Sequence, residues 1–274
     1  IGDWSSDVCS SDLTNVLVKR RGARVALVLT AGTKDALDIR RELRYDIYDL
    51  TAEYPAALVA GDDRFELSAR LSPAGEEWCG LDDNELQKVV DAVKATQCTA
   101  IAVCLLHSPV DDRHEQVVGA ALRAAIPESV VSLSAEVARE IGEYERMSTV
   151  VANAYVQPVV GKYLATLGAR LEALGSTATL DIMLSNGAFT NAALAAAQPI
   201  RILESGPAGG VLSAINCGAD AGTHKVLAFD MGGTTAKASI AVDSEPSITH
   251  VFEFGRVQRF KPGSGLLAVA PSMD

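Results

Sequence analysis

Phe229–Lys237 reads FDMGGTTAK, placing a carboxylate, two glycines and two hydroxyls in succession behind a short apolar run. Val226-Leu227-Ala228-Phe229 is apolar and partly β-branched, and Lys237 to Val242 alternates with period two, so the motif sits on the turn of a β-hairpin. Gly232 and Gly233 accept φ > 0 and carry no Cβ, which lets their N–H groups turn inward as an anion cradle, and Thr234 and Thr235 add hydroxyl donors. Asp230 is expected at the end of a buried strand, where a carboxylate is costly unless balanced; Mg²⁺ held through water beside phosphates is the usual balance. That order of groups points to nucleotide chemistry. The ordinary alternative is a Gly-Gly hairpin turn with an acid at the strand end. A Walker loop is excluded, because GxxxxGK followed by Ser or Thr is absent and a strand rather than a helix comes next.

Three further groups of residues have types and spacing that bear on a site. Ser205 and Gly206-Pro207-Ala208-Gly209-Gly210 lie between Ile202-Leu203 and a predicted helix, so that glycine N–H groups and a helix N-terminus face a possible anion; a loop that lets the helix pack tightly is the alternative. Glu204 and Ser205 could reach a metal or phosphate, or act as a cap. Ser185-Asn186-Gly187 ends a predicted strand, where ligands of α/β sheets gather, making it a candidate substrate edge; an Asn-Gly turn explains it equally well. Lys237 could pair with a phosphate as a point charge or simply be solvated. His107, after the run Ala100–Leu106, reads as a structural histidine before a base or ligand, and Arg146 in EYER as a partner of Glu143 or Glu145.

The elements that must position these groups are those of an α/β chain. Arg24–Thr30 and Ala100–Leu106 are buried-type strands, with Val130–Leu133 a third. Helices are expected at Thr33–Leu43, Asp82–Ala95, with apolar residues at Leu86, Val89, Val90 and Val93, and His114–Ala125. Arg64–Leu71 alternates and breaks at Pro73-Ala74-Gly75, as one arm of a hairpin. Glu143–Leu174 is long and helical, with Pro158 either kinking it or opening a second helix. Beyond it come a strand at Leu180–Leu184, helices at Thr190–Ala197 and Gly209–Cys217, and antiparallel strands over Val226–Val251.

Composition bounds the partners. With 274 residues of which 48% are hydrophobic and only 5% aromatic, the chain can bury one large core or two moderate ones, packed by Ala, Val, Leu and Ile. A net charge of −11 argues against a nucleic-acid partner. No apolar run reaches the length of a membrane span. Cys79, Cys98, Cys104 and Cys217 form no CxxC pair, which reads as reduced thiols of a cytoplasmic protein without disulfide or zinc. Residues 1–13, IGDWSSDVCSSDL, carry no periodicity; back-translated, Trp4–Leu13 can be written as a sequencing-library adapter, so this segment is expected to be foreign and is set apart from fold reasoning.

Taken together, LRYDIYDL (Leu43–Leu50), AVCLLHS (Ala102–Ser108), SAEVAREIGEYERMSTVVANAYVQPVVGKYL (Ser134–Leu164), IMLSNGAFT (Ile182–Thr190), LESGPAGGV (Leu203–Val211), FDMGGTTAK and GSGL (Gly263–Leu266) resemble the A-type subunits of the hydantoinase/oxoprolinase family. The resemblance covers nearly everything from Thr14 onward, with Ala188 standing where a second glycine is usual. It implies the actin/Hsp70/sugar-kinase type of ATPase fold, in which two ribonuclease-H-like α/β domains close over a nucleotide. It divides the chain into residues 14–140, the remainder of an N-terminal domain, and 141–274, the start of an ATPase domain. Family members begin with a first phosphate loop of DxGGTFTD type, which is not found upstream of Thr14, so the resemblance implies an internal fragment, inactive alone.

The implied parent activity is Mg-ATP-dependent: phosphorylation of the carbonyl oxygen of a cyclic amide such as a hydantoin or 5-oxoproline, followed by hydrolytic ring opening. Gly232, Gly233, Thr234, Thr235 and Lys237, with Ser205, Gly206, Gly209 and Gly210, would hold ATP, and Asp230 would organise Mg²⁺. A B-type subunit is the implied partner. The alternatives are a subunit of an ATP-dependent ketone carboxylase and a nucleotide-binding subunit without chemistry of its own.

Overall fold

The computed structural model describes residues 10–231, 236–258 and 260–273. It forms two compact units: one comprises Leu17–Val159 and Glu253–Val269, the other Val160–Phe252 with segments from both ends of the chain.

The chain enters through α1 (Ser10–Val18), which begins inside the segment set apart above, and continues into β1 (Val25–Thr30) and α2 (Ala36–Ile39). Then follow β2 (Arg64–Leu67), β3 (Arg70–Leu71), β4 (Glu77–Cys79), α3 (Asp83–Ala95), β5 (Ala100–Cys104), α4 (Arg113–Ala125), β6 (Val130–Leu133), α5 (Ser134–Val137) and α6 (Glu143–Ala173). The sheet runs β2-β1-β5-β6 and every pairing is parallel. All residues of β1 and β5 are buried, as continuous apolar runs in a covered parallel sheet must be. Leu86, Val89, Val90 and Val93 of α3 and Val118 and Leu122 of α4 pack on Ile101 and Val103 of β5, each fully buried side chain contributing about 1.5–3 kcal/mol. Asp82 caps α3 by accepting the Glu85 N–H at 2.8 Å. The strand order reverses between β1 and β5, a topological switch point.

Three expectations are corrected here. The helix expected over Thr33–Leu43 is only α2: Arg40 (φ 59°) and Glu42 (φ 54°) turn left-handed, and Leu37 is the one buried residue available to hold a longer helix down. Arg64–Leu71 is two strands rather than one hairpin arm. The Ser68 N–H and hydroxyl both bond Glu85, which takes that residue out of the ladder; β2 then pairs with β1 while β3 pairs antiparallel with β4. The strand expected to reach Leu106 ends at Cys104 because the Leu105 N–H goes to Glu115 and the Leu106 N–H to Thr30 Oγ1.

In the other unit, β7 (Asp181–Met183) and β8 (Phe189–Asn191) form a hairpin, followed by α7 (Ala192–Ala197), capped by Asn191, and α8 (Ser205–Asp220). Next come β9 (Lys225–Met231), β10 (Ala236–Val242) and β11 (Glu245–Pro246), then β12 (Ile248–Phe254) and β13 (Leu266–Met273), which the division at residues 252/253 and 269/270 splits between the units. β11-β10-β9 is an antiparallel sheet, and β12 pairs with β13. Val211 and Ile215 of α8 are buried with Ala241 of β10, against Val226 and Ala228 of β9. Long α6 runs through Pro158 as a single helix, so the proline opens no second one. Among the described residues no helix is long and apolar enough to cross a membrane.

Candidate functional site

Asp230 and Lys237 face each other across the β9–β10 hairpin, in a register that runs Ala236↔Met231, Lys237↔Asp230, Ser239↔Ala228. The register leaves Gly232, Gly233, Thr234 and Thr235 as the connection, and these four, the expected phosphate cradle, lie outside the described residues. Side chains alternate across a strand, so Val226, Ala228 and Asp230 share the face that meets α8, together with Lys237 and Ser239. Asp230 is nevertheless exposed, and no residue of β9 is fully buried, so the expectation that it ends a buried strand is corrected. Among the described residues no cation pairs with it.

The helix carrying the glycine motif starts at Ser205, four residues before the expected Gly209, so Gly206, Gly209 and Gly210 belong to the first two turns of α8 and not to a free loop. Pro207 is tolerated there because first-turn N–H groups have no helical partner. The two glycines after Ala208 do different things. A Cβ on Gly209 would lie 3.4 Å from Met183 Sδ, against the β7 hairpin, whereas one on Gly210 would meet nothing within 4 Å. Gly210 opens onto a cleft of about 170 Å³ that Pro207, Asp230, Lys237 and Ser239 also line. On α8 the cleft runs along one face, Pro207, Gly210, Val211 and Ala214, over the first turns of the helix. A volume below the roughly 300–1,000 Å³ of whole-ligand pockets suits part of a nucleotide, such as its phosphates.

Glu204, immediately before α8, ion-pairs with Lys237 and is the feature sequence reasoning missed. The pair brings the end of one motif, LESGPAGG, to the end of the other, FDMGGTTAK; the only sequence signal was an acid and a base at the edges of two glycine-rich stretches. Glu204 is fixed from two sides: its Oε1 accepts from Thr14 Oγ1 at 3.3 Å, and its N–H donates to Ser185 Oγ at 3.0 Å. Ser185 is 1% exposed, donates its N–H to the Arg201 carbonyl at 2.7 Å and does not line the cleft. Asn186 accepts the Ala188 N–H through Oδ1 at 3.1 Å, and the Gly187 N–H donates to the Leu184 carbonyl at 3.0 Å, closing an Asn-Gly turn. Gly187 holds φ 82°, and a Cβ there would come within 2.4 Å of Met273 Cε, so the left-handed residue is Gly187 and Ala188 sits without strain. Ser185 thus braces Glu204, and the substrate edge expected at Ser185-Asn186-Gly187 does not line this cleft.

The other unit holds a buried polar network at the carboxyl end of β5. Glu115, fully buried, accepts the Leu105 N–H at 2.8 Å, the Ser134 hydroxyl at 2.6 Å and the Ala135 N–H at 2.9 Å. Arg146 donates to Ser134 Oγ at 3.0 Å and to the Leu105 carbonyl at 2.7 Å, so it faces inward, and the expected pairing with Glu143 or Glu145 is corrected. Burial pushes the Glu115 carboxyl up and the Cys104 thiol up to about 11, which keeps that thiol protonated. His107 follows with φ 63°, and His114 bonds Glu77 at 3.3 Å. Among the described residues no three His, Cys, Asp or Glu side chains converge as a metal cage, and all four described cysteines are free.

The hydantoinase/oxoprolinase family model matches residues 146–273, and the hydantoinase/oxoprolinase N-terminal region model matches residues 10–126. The chain is 34% identical over 254 residues to an uncharacterised protein of Methanocaldococcus jannaschii, covering 92% of this chain and 37% of that protein. It is 30% identical to the caprolactamase subunit alpha of Pseudomonas jessenii, over 91% of this chain and 37% of the subunit, and 29% identical to the 5-oxoprolinase of Saccharomyces cerevisiae, over 95% of this chain and 21% of the enzyme. It thus spans little more than a third of the first two and about a fifth of the third. Among solved structures, the ATP-dependent caprolactamase of Pseudomonas jessenii superposes over 96% of this chain and 37% of its own with a TM-score of 0.81 at 28% identity. Nucleotide-free acetone carboxylase superposes over the same shares with a TM-score of 0.83 at 20% identity, a likeness of fold alone. The architecture is the actin/Hsp70/sugar-kinase-like one of these enzymes, and with both halves matched the chain belongs to the hydantoinase/oxoprolinase family.

Proposed function

We propose that the protein carrying this chain is an ATP-dependent hydrolase of cyclic amides, which passes the γ-phosphoryl group of ATP to the ring carbonyl oxygen before water opens the C–N bond. The observation that carries this reading is that Asp230, Lys237 and the first turns of α8 line one cleft. An amide resists hydrolysis because its nitrogen is a poor leaving group and its carbonyl a weak electrophile; O-phosphorylation corrects both. Phosphoryl transfer asks a protein mainly for positioning and charge stabilisation, which this cleft is built to provide. The relatives described as caprolactamase and 5-oxoprolinase, both lactam-opening by name, support the cyclic amide as substrate class.

The donor set fits a nucleotide-borne Mg²⁺. Asp230 offers a cleft-lining carboxylate that no described cation neutralises, and the absence of a three-residue cage among the described residues suits an ion held chiefly by phosphate oxygens and water. When bound, the ion would neutralise charge on the phosphates; Asp230 would hold its water shell, and Lys237 would meet a phosphate oxygen in place of Glu204. Gly232, Gly233, Thr234 and Thr235 remain the proposed cradle, with Ser205, Gly206, Gly209 and Gly210 at the α8 side. A B-type partner subunit in a reduced, cytoplasmic setting completes the reading; the caprolactamase relative is itself named as a subunit, and the described thiols are all free.

A ketone carboxylase subunit is the second reading, favoured by 26% identity to the acetophenone carboxylase gamma subunit of Aromatoleum aromaticum over 84% of this chain. Phosphate release by the full-length protein, with and without its partner subunit, decides between them. Stimulation by 5-oxoproline, a hydantoin or caprolactam is expected; stimulation only by ketone plus bicarbonate selects the second reading, and ATP binding without stimulation by either overturns both.

A further inference from the structure

Two family-like segments, LRYDIYDL and GSGL, remain unused by the nucleotide cleft, and within one unit the fold brings them together. Tyr45 Cβ lies 3.5 Å from where a Cβ on Gly263 would stand, and Asp46 ion-pairs with Lys261. Beside this junction is a pocket of about 70 Å³, lined by Arg40, Arg41, Tyr54, Tyr144 and Leu267, with Glu253 at its wall. That volume holds a carboxylate and the few heavy atoms next to it, the rest of a larger molecule remaining outside, and excludes a nucleotide.

Of its two guanidiniums, Arg41 is paired with a carboxylate and Arg40 is not. Arg40 donates to the Gly265 carbonyl at 3.2 Å and to the Pro55 carbonyl, and its guanidinium lies 4.7 Å above the Tyr54 ring centroid; all three partners are neutral. Arg41 gives Nε to Glu145 and leaves its two terminal amino groups without a partner among the described residues. Glu253 does not compensate, since one oxygen accepts the Gly263 N–H at 2.6 Å and the other pairs with Arg256 at 2.8 Å. The Tyr144 side chain is buried beside the two guanidiniums and forms part of the same lining. The backbone supports the same placement: Arg40, at φ 59°, takes a left-handed conformation that a long side chain adopts at a cost, and that turn aims it inward.

We propose that this pocket binds a small carboxylate-bearing molecule, with the carboxylate on the Arg40–Arg41 guanidiniums and its carbon skeleton against Tyr54 and Leu267. A planar guanidinium matches a carboxylate bidentately, and the apolar walls and Glu253 disfavour a more highly charged tetrahedral anion. Because 5-oxoproline is also an expected substrate under the proposed function, the Arg40 and Arg41 variants, and not binding by itself, separate this proposal from that reading.

Titration calorimetry on the full-length protein without ATP tests it, using 5-oxoproline, 2-pyrrolidinone as the same ring without its carboxylate, and inorganic phosphate. Saturable 5-oxoproline binding is expected, at least tenfold tighter than 2-pyrrolidinone or phosphate. It should weaken tenfold or more in Arg41→Gln, whose side chain has only a surface ion pair to lose, and in Arg40→Lys, which keeps the charge and loses the fork; circular dichroism checks that each variant is folded. Equal affinity for the uncharged ring, equal affinity for phosphate, no saturable binding, or binding that neither substitution changes would overturn it.

Discussion

Asp230 shows how a single strand position divides structure from chemistry. It stands at the open end of β9 with no described cation against it, so replacing it removes no fold-supporting contact, yet it is the acid that lines the cleft. Asp230→Asn in the full-length protein is expected to lower substrate-stimulated ATP turnover by at least about 100-fold, the scale of one lost charge-stabilising group, with a melting temperature within about 2 °C of wild type. Wild-type turnover would refute the assignment. Lys237 is a different case, because its charge is already engaged by Glu204. Exchanging that partner for a phosphate oxygen makes the net gain modest. Lys237→Met should weaken ATP binding about tenfold, equivalent to roughly 1.4 kcal/mol and typical of one charge-assisted hydrogen bond. Unchanged affinity by calorimetry would leave Lys237 as Glu204's partner and nothing more.

At the scale of elements, the buried network on α4, α5 and α6 explains why β5 stops where it does, and it makes a pH-dependent contribution. Glu115 satisfies three donors from two parts of the fold, the end of β5 and the start of α5, and Ser134 links it to Arg146. Burial raises the Glu115 pKa, so the folded state holds a proton that the unfolded chain releases near its ordinary value of about 4.3. Between that value and the raised one the folded state binds more protons, and this residue's contribution therefore falls as pH rises. Glu115→Gln should cost about 1–3 kcal/mol, because an amide group turned toward the Ala135 N–H leaves that donor unpaired. The wild-type-minus-variant difference should shrink with rising pH across the window; urea denaturation at stepped pH measures it, and a difference independent of pH would mean the carboxyl is not perturbed in the fold. The same elements mark what periodicity could and could not reveal. The apolar runs at Val25–Thr30 and Ala100–Cys104 and the helical spacing of Leu86, Val89, Val90 and Val93 were legible because burial dictates residue type there. The early end of β5, the split at Ser68 and the shortness of α2 were not, since each is decided by a distant side chain or the want of one. In the site, the Asp230–Lys237 hairpin was legible from alternation, whereas the Glu204–Lys237 pair and the role of Ser185 as its bracket depend on tertiary proximity that no local pattern encodes.

At the scale of the whole chain, the β11-β10-β9 sheet buries one face only. Val226, Ala228 and Ala241 meet α8, while Leu227 (66% exposed), Phe229 (65%), Met231 (72%) and Ile240 (61%) lie on the opposite side. The register places Leu227 opposite Ile240 and Phe229 opposite Ala238, so these side chains form a contiguous apolar surface rather than scattered residues. Among the described residues β9 is also an outer strand of this sheet, with no partner on its far edge. An apolar face that borders an open edge is a template for association. Produced by itself, the chain is therefore expected to bind an apolar dye such as ANS and to sediment as oligomers at micromolar concentration. Leu227→Lys or Phe229→Ser, each on the uncovered side and away from the α8 core, should reduce both signals several-fold while leaving the helical circular dichroism unchanged. In the full-length protein, of which relatives are nearly three times as long as the matched region, dye binding should be low and the same substitutions should destabilise by about 1–3 kcal/mol, as loss of a buried side chain does. Equal dye binding by both proteins would show that the face stays bare in the longer chain, and a monodisperse monomer that ignores the dye would show that it is not apolar enough to matter.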